Sequence, residues 1–169
     1  LALPALAFAQ GALTPPPGAP APTMKTLDQL EPRIPIVAGA HGITATANGG
    51  FTITESGSYY LTGNLEVSSG DAISIKSSNV TLDLGGFTIQ SASATEGGFA
   101  IQIYSNYVTV RNGTIRGQTY GNNGTFSGSG FSGGIVTSGS QGVIVEQVIV
   151  SHVAYIGINT NGTIRACTA

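Results

Sequence analysis

Charged residues are scarce in this sequence. Six Lys and Arg and eight Asp and Glu make up 8% of the 169 residues, against roughly 25% in an average soluble domain. A single cysteine, Cys167, excludes an internal disulfide framework and a multi-cysteine zinc site. So few basic residues cannot neutralise a nucleic-acid backbone, and the apolar run that opens the chain is shorter than the roughly 20 residues of a membrane span. We therefore predict neither nucleic acid nor a membrane span for this chain.

Proline is absent after residue 35, and all eight prolines lie within the first 35 residues. Proline cannot donate a hydrogen bond to a β ladder, so the proline-free remainder suits a continuously paired β domain. The chain opens with LALPALAFA, a small-residue apolar run typical of the end of a secretory signal peptide. We interpret residues 1–9 as the remnant of such a peptide, with a short buried helix as the alternative. This interpretation predicts a secreted protein, either extracellular or periplasmic.

Two connecting segments follow the opening run. Residues 10–36 are rich in Pro, Ala and Gly and predict an extended linker, with a short amphipathic piece between Thr26 and Leu30. That piece is a solvated connector, a helical cap or a dock for a partner, and we favour the connector. Residues 37–50 are interpreted as a further connector, so the β domain is expected over residues 51–169.

Short runs of alternating β-branched residues recur along the β domain, which predicts strands. Equivalent runs begin at steps of 28, 34 and 21 residues in one column and 28, 35 and 21 in another. The two columns are Ile73, Ile101, Ile135 and Ile156, and Val80, Val108, Val143 and Ile164. Two columns that keep nearly the same steps predict an all-β solenoid, the right-handed parallel β-helix, in which equivalent strands stack about 4.8 Å apart.

Alternate residues of these runs should point into one apolar core. The predicted inward residues are Ile73, Ile75, Val80, Leu82, Ile101, Ile103, Val108, Val110, Ile115, Ile135, Val143, Val145, Val148, Val150, Ile156, Ile158 and Ile164. Corners between strands require residues that tolerate a positive φ, and we place Asn112 with Gly113, and Asn161 with Gly162, at such corners.

The repeat is interrupted by a segment rich in Gly, Ser and Asn, residues 118–134. An insertion of this kind projects from one face of a solenoid, where binding loops are usual. Its aromatic residues Tyr120, Phe126 and Phe131 are therefore loop candidates for ligand binding. A disordered tether is the alternative: the glycines favour the tether and the three aromatic residues favour the loop, so both interpretations stay open.

Several of these motifs also occur in a known group of proteins. Residues 51–65, 71–89 and 108–115, together with the run from Ile164 to Ala169, resemble turns of secreted bacterial right-handed β-helix proteins of the pectate-lyase-like superfamily, which includes the NosD-like branch. The resemblance implies the fold, a bacterial source and an extended polysaccharide or cell-surface glycan as partner. Because members of this family usually have more turns, we expect this chain to be a fragment that lacks turns beyond Ala169.

Superposing the predicted turns places Asp83, Arg111, Glu146 and Cys167 in one outward column. The first three alternate in charge and are candidates for a carbohydrate or cation site. The resemblance to lyases implies Ca²⁺ held by acidic side chains if the protein is an enzyme of that kind. A surface salt-bridge ladder worth roughly 0–1 kcal/mol per pair is the alternative, and we favour it.

A second outward column contains Lys76, Tyr104, Ser138 and Asn159. Tyrosine faces stack on sugar rings while neighbouring polar groups bond sugar hydroxyls, so Lys76, Tyr104 and Asn159 are candidates for glycan binding. The alternative is that the tyrosine covers the flank of the solenoid.

Catalytic motifs of related β-helix enzymes are absent from the sequence. It contains no Asp-Asp pair and no Gly-His-Gly motif, and neither His41 nor His152 has an obvious partner. Two histidines and one methionine give no copper or zinc ligand set, so we predict no metal site and name no catalytic residue. The favoured function is binding of a polysaccharide or surface partner without catalysis. The alternatives are a polysaccharide lyase or glycoside hydrolase with active-site turns beyond Ala169, and a structural adhesin or fibre module.

Overall fold

A computed structural model describes residues 33–122 and 125–169, of which residues 122 and 125–127 are described by their backbone alone. The chain divides between Glu31 and Pro32 into two units, and the second unit contains every described residue. The signal-peptide remnant, most of the linker with its amphipathic piece, and the side chain of Phe126 lie outside the described residues.

All regular elements in this part of the chain are strands, and most of them pair in parallel. One sheet contains β1 (Ile34–Pro35), β4 (Gly57–Tyr60), β7 (Val80–Asp83), β10 (Val108–Arg116), β14 (Ile144–Ser151) and β16 (Thr163–Arg165), in that spatial order. The same sheet has a branch in which β5 (Leu65–Val67) pairs with β8 (Thr88–Ser91), and β8 pairs with the second half of β10. The predictions of an all-β fold and of parallel pairing between repeats are confirmed.

A second sheet contains the other strand of each repeat. Its members are β2 (Ile43–Ala45), β3 (Phe51–Ile53), β6 (Ile73–Ile75), β9 (Phe99–Ile103), β13 (Gly133–Thr137) and β15 (Ile156–Asn159). Only β2 and β3 pair antiparallel within it. The first described strand, β1, therefore lies inside the segment interpreted as linker, and β2 lies inside the predicted connector. Among the described residues β1 pairs with β4 alone, and a position at the edge of a sheet accommodates Pro35.

Most of the predicted core is buried in the observed one. Fourteen of the seventeen predicted inward residues, Ile73 to Val150, are at most 4% exposed. The exceptions are Ile156 and Ile158, which are half-buried, and Ile164, which is 49% exposed. These three residues lie on β15 and β16. Each of these strands is the last of its sheet, and among the described residues each pairs with one neighbouring strand only. The core also extends toward the N-terminus, through Tyr59 to Ile36.

The register of the last repeat differs from the prediction by two residues. Ile135 pairs with Ile158 rather than Ile156, and Val145 rather than Val143 pairs with Ile164. A shift of two residues keeps the same side chains on the inner face of a strand. The alternating pattern therefore fixes which residues point inward but does not fix this register.

Corners between strands use left-handed backbone conformations. Asn112 has φ 62°, as predicted for a corner residue, and the equivalent Gln147 has φ 54°. A second corner has Asn79, Tyr107 and Gly142 at equivalent positions, with φ values of 57°, 56° and 65°. Asparagine and glycine tolerate this region of φ, whereas a bulky side chain adopts it at a cost. Tyr107 is the unexpected residue in this set.

The insertion at residues 118–134 contains an antiparallel hairpin of β11 (Tyr120–Asn122) and β12 (Thr125–Ser127). Its base is bonded to the body of the protein: the Gly130 N–H donates to the Ser93 carbonyl at 3.1 Å, and the Ala154 N–H donates to the Phe131 carbonyl at 3.1 Å. The described residues of the insertion therefore support the loop interpretation over the tether that the glycines favoured.

Candidate functional site

Asp83, at the end of β7, is the most enclosed charged group among the described residues, with 7% exposure. Its Oδ1 accepts hydrogen bonds from the Gly85 N–H at 2.9 Å and from Asn112 Nδ2 at 3.2 Å. Its Oδ2 accepts from Arg111 Nε at 3.1 Å and lies 3.5 Å from Arg33 Nη1. Burial alone would raise the pKa of Asp83, but these hydrogen bonds and the charge of Arg111 outweigh it and lower the pKa below the ordinary value of 3.8.

The predicted charged column contains two separate groups of ion pairs, one at Asp83 and one at Glu146, and one of its predicted members is misidentified. Asp83 lies beside Arg111, Arg111 beside Glu146, and Glu146 beside Arg165. Arg165 Nη2 is 3.1 Å from Glu146 Oε2, so the fourth member is Arg165 and not Cys167. Cys167 lies two residues further along, because of the register shift in the last repeat, and is half-buried. The acidic side chains of this column are occupied by arginines, which supports the salt-bridge alternative.

The described ranges contain no group of three or more His, Cys, Asp or Glu side chains that could hold a metal ion. Ca²⁺ binds six to eight oxygen ligands, and the Asp83 carboxylate is already engaged by two arginines. The charged column therefore gives no support to a cation site.

The second predicted column is only partly assembled. Lys76, Tyr104 and Ser138 are exposed, and each follows directly on strand residues that pair with one another. Asn159 instead pairs with Val136, so its assignment to this column is wrong by the same two-residue shift.

Two tyrosines are exposed close together in sequence, in the connection between β9 and β10. Tyr104 is 49% exposed and Tyr107 is 66% exposed. The Tyr107 ring lies against Gly142, where a Cβ would come within 2.7 Å of Tyr107 Cδ1. The two side chains therefore form an exposed aromatic surface at this corner.

The three aromatic residues of the insertion have different surroundings. Phe131 is completely buried in the core and cannot contact a ligand. Tyr120 is 56% exposed, and its ring centroid is 5.3 Å from that of His152, with a tilt of 57° between the rings. Tyr120 is therefore the insertion aromatic that the structure places at an accessible site.

Tyr120 forms one wall of an open cleft with about 380 Å³ of space, part of which is open to solvent. The cleft lies where β8 and β10 end and the insertion begins. Its lining consists of Gln90, Ser91, Arg116, Gly117, Gln118 and Tyr120. Sequence analysis identified Tyr120 alone among these residues.

Backbone hydrogen bonds hold the floor of the cleft in place. The Gly117 N–H donates to the Ser151 carbonyl and the Thr119 N–H to the His152 carbonyl, both at 2.9 Å. A Cβ at Gly117 would collide with the His152 carbonyl oxygen, so glycine is required for this close approach. Gln118 Nε2 donates to the Ser91 carbonyl at 2.6 Å, which joins the start of the insertion to β8.

Arg116 supplies the positive charge of the cleft. It lies in an outward column between Gln90 on β8 and Ser151 on β14, both of them neutral. Within the described part of the chain, no acidic side chain forms an ion pair with Arg116. The cleft therefore combines an unpaired guanidinium, two amides and an aromatic face, a set of groups suited to binding a polar ligand.

Neither models of known protein families, nor curated proteins, nor solved structures match this chain. Among the described residues, no helix is both long and apolar enough to cross a membrane. The resemblance to pectate-lyase-like proteins consequently depends on the quoted motifs and on the parallel pairing of the repeats.

Proposed function

We propose that this chain is part of a secreted right-handed parallel β-helix protein that binds polysaccharide through the cleft beside Tyr120. The parallel pairing of equivalent residues in successive repeats supports the solenoid, and the rule for parallel crossovers supports its hand. The signal-like opening run supports secretion.

The proposed binding depends on the side chains that line the cleft. An exposed tyrosine ring provides a flat apolar face for a pyranose ring, and the Gln90 and Gln118 amides and the Arg116 guanidinium bond its substituents. The cleft is partly open to solvent, so the bound sugar unit can belong to a longer chain. Binding without turnover is favoured, because the described lining offers no pair of carboxyl groups for general acid and general base.

Binding of the full chain to a panel of neutral, uronate-bearing and sulfated polysaccharides, followed by calorimetry on those that bind, tests this function. Tyr120→Ala is expected to weaken binding about tenfold, equivalent to about 1.4 kcal/mol of stacking and contact. Tyr104→Ala is the matched control, because Tyr104 is a tyrosine of similar exposure at the other predicted surface.

Two results would contradict the proposal. If no polysaccharide of the panel binds the wild-type chain, the proposed function fails. If Tyr104→Ala abolishes binding while Tyr120→Ala leaves it unchanged, the binding surface is the column of Lys76 and Tyr104 and the assignment to the cleft is wrong.

A further inference from the structure

We propose that His152 is a positioning residue of the cleft, whose imidazole ring holds the Tyr120 ring in the orientation that stacks on a sugar. This inference rests on the proposed function and adds the residue on which the aromatic wall of the cleft depends. It follows from the contact between the two rings and from the backbone that holds His152 in place.

Tyr120 needs support from outside its own strand. It begins β11, and among the described strands β11 pairs with β12 alone. Its side chain is 56% exposed and turns about single bonds between the backbone and the ring. A ring that turns freely loses conformational entropy when it stacks on a ligand, and this loss weakens binding. A contact that fixes the ring beforehand removes that cost.

The His152 ring supplies such a contact. Its centroid lies 5.3 Å from the centroid of the Tyr120 ring, and the two planes are tilted by 57°. Aromatic pairs prefer centroid distances of about 4.5–7 Å and offset or tilted arrangements over a face-to-face sandwich. The lining of the cleft includes Tyr120 but not His152, so His152 acts on a ligand through the tyrosine.

The backbone holds His152 beside Tyr120. Ser91, Gly117 and His152 each follow directly on strand residues that pair with one another, and the first two are buried, whereas His152 is exposed. His152 has φ 57°, a left-handed conformation that histidine adopts more readily than most side chains. The Thr119 N–H donates to the His152 carbonyl at 2.9 Å, so the residue before Tyr120 is bonded to the residue that carries the imidazole. A backbone hydrogen bond and a ring contact therefore join His152 to the start of the insertion.

Calorimetry with the neutral, uronate-bearing or sulfated polysaccharide that wild type binds most tightly compares variants of the two rings. His152→Asn removes the imidazole and keeps a residue that tolerates a positive φ. His152→Phe keeps a ring, and Tyr107 shows that an aromatic residue adopts φ 56° in this fold. The double variant His152→Asn with Tyr120→Ala tests whether His152 acts through the tyrosine. His41→Asn is the matched control, because His41 is the other histidine of the sequence, lies 2.8 Å from the Glu55 carboxylate and does not line the cleft.

His152→Asn is expected to weaken binding about fivefold, which corresponds to the loss of one aromatic pair. His152→Phe should restore most of this loss, and His41→Asn should behave as wild type. The double variant should bind no more weakly than Tyr120→Ala alone, because the two side chains act as one unit. In the free wild-type protein, proton NMR should show a nuclear Overhauser contact between the two rings, and the Tyr120 ring signals should shift in His152→Asn.

Three results of the binding experiment overturn the inference and leave glycan binding intact: an unchanged affinity in His152→Asn, no recovery in His152→Phe, or additive losses in the double variant. Where a variant does not fold, the NMR contact in wild type decides, since its presence supports the inference and its absence overturns it. Failure of every polysaccharide of the panel to bind wild type overturns the proposed function itself.

Discussion

Replacement of Asp83 by asparagine tests the most enclosed ionic contact of the fold. The side chain keeps its size but loses its charge and one of its two acceptor atoms. If the new amide nitrogen replaces Oδ2, it faces the Arg111 guanidinium; if it replaces Oδ1, it faces the Gly85 N–H and the Asn112 amide. In either orientation, donors face donors, so no rotation of the amide restores the original set of hydrogen bonds.

The expected loss is on the order of 2 kcal/mol in the free energy of unfolding. Hydrogen bonds to a charged group contribute about 1.5–3 kcal/mol. The arginine side chains are 36% and 40% exposed and recover part of this through water, which reduces the cost. For a domain of this size, the loss corresponds to a decrease in Tm of roughly 5–10 °C.

The assay is chemical denaturation followed by circular dichroism, at pH 7 and at successively lower pH. Since the pKa of Asp83 is lower in the folded chain, its contribution is present above the ordinary pKa of 3.8 and is lost as the pH falls through the folded value. The difference between wild type and Asp83→Asn should therefore shrink on acidification. Glu146→Gln is the control, because the Arg165 side chain of this pair is 59% exposed, and it should cost less than about 1 kcal/mol. A difference at pH 7 below that of the control, or one independent of pH, would refute the reasoning.

Two further substitutions test the packing and the corners. Val108→Asp places a carboxylate at a completely buried position between Val80 and the β14 strand, and should cost several kcal/mol or prevent folding; a soluble variant with an unchanged unfolding midpoint would exclude the buried position. Tyr107→Asn places a residue that tolerates φ 56° at a corner where the equivalent residue is Asn79, and should raise the free energy of unfolding by about 0.5–1 kcal/mol. Thermal denaturation measures this gain, and a loss would show that the contact of the ring with Gly142 outweighs the backbone cost.

Much of the fold could be predicted from the sequence because the core repeats. The columns headed by Ile73 and Val80 keep their spacing over the first three repeats, and the structure pairs Ile73 with Ile101 and Val80 with Val108. In the last repeat, the sequence offered only the alternation of apolar residues as a guide to the register. Its alternation satisfied two registers equally well, and the choice of the wrong one displaced Asn159 and Cys167 from their true positions.

The start of the β region and the cleft were missed for different reasons. Pro35 made a strand improbable from the sequence, and β1 can contain it because β4 is its sole partner among the described strands. The cleft brings together the ends of β8 and β10 with the start of the insertion, a juxtaposition that depends on tertiary structure. One indication was present in the sequence: Gln90 and Arg116 each follow the last core residue of their run, Ile89 and Ile115, and the register makes them neighbours.

The edge strand β1 has a consequence for the behaviour of the protein at high concentration. A sheet edge with free N–H and C=O groups is a template on which other chains add strands and aggregate. Here the edge strand is only two residues long, and its second residue, Pro35, has no N–H to offer. Arg33, immediately before β1, lies over the Tyr60 ring at 5.1 Å, and this cation–π contact links β1 to β4. Within the described residues, this end of the sheet should therefore resist the addition of another strand, and replacing Pro35 by valine would remove that protection at this end.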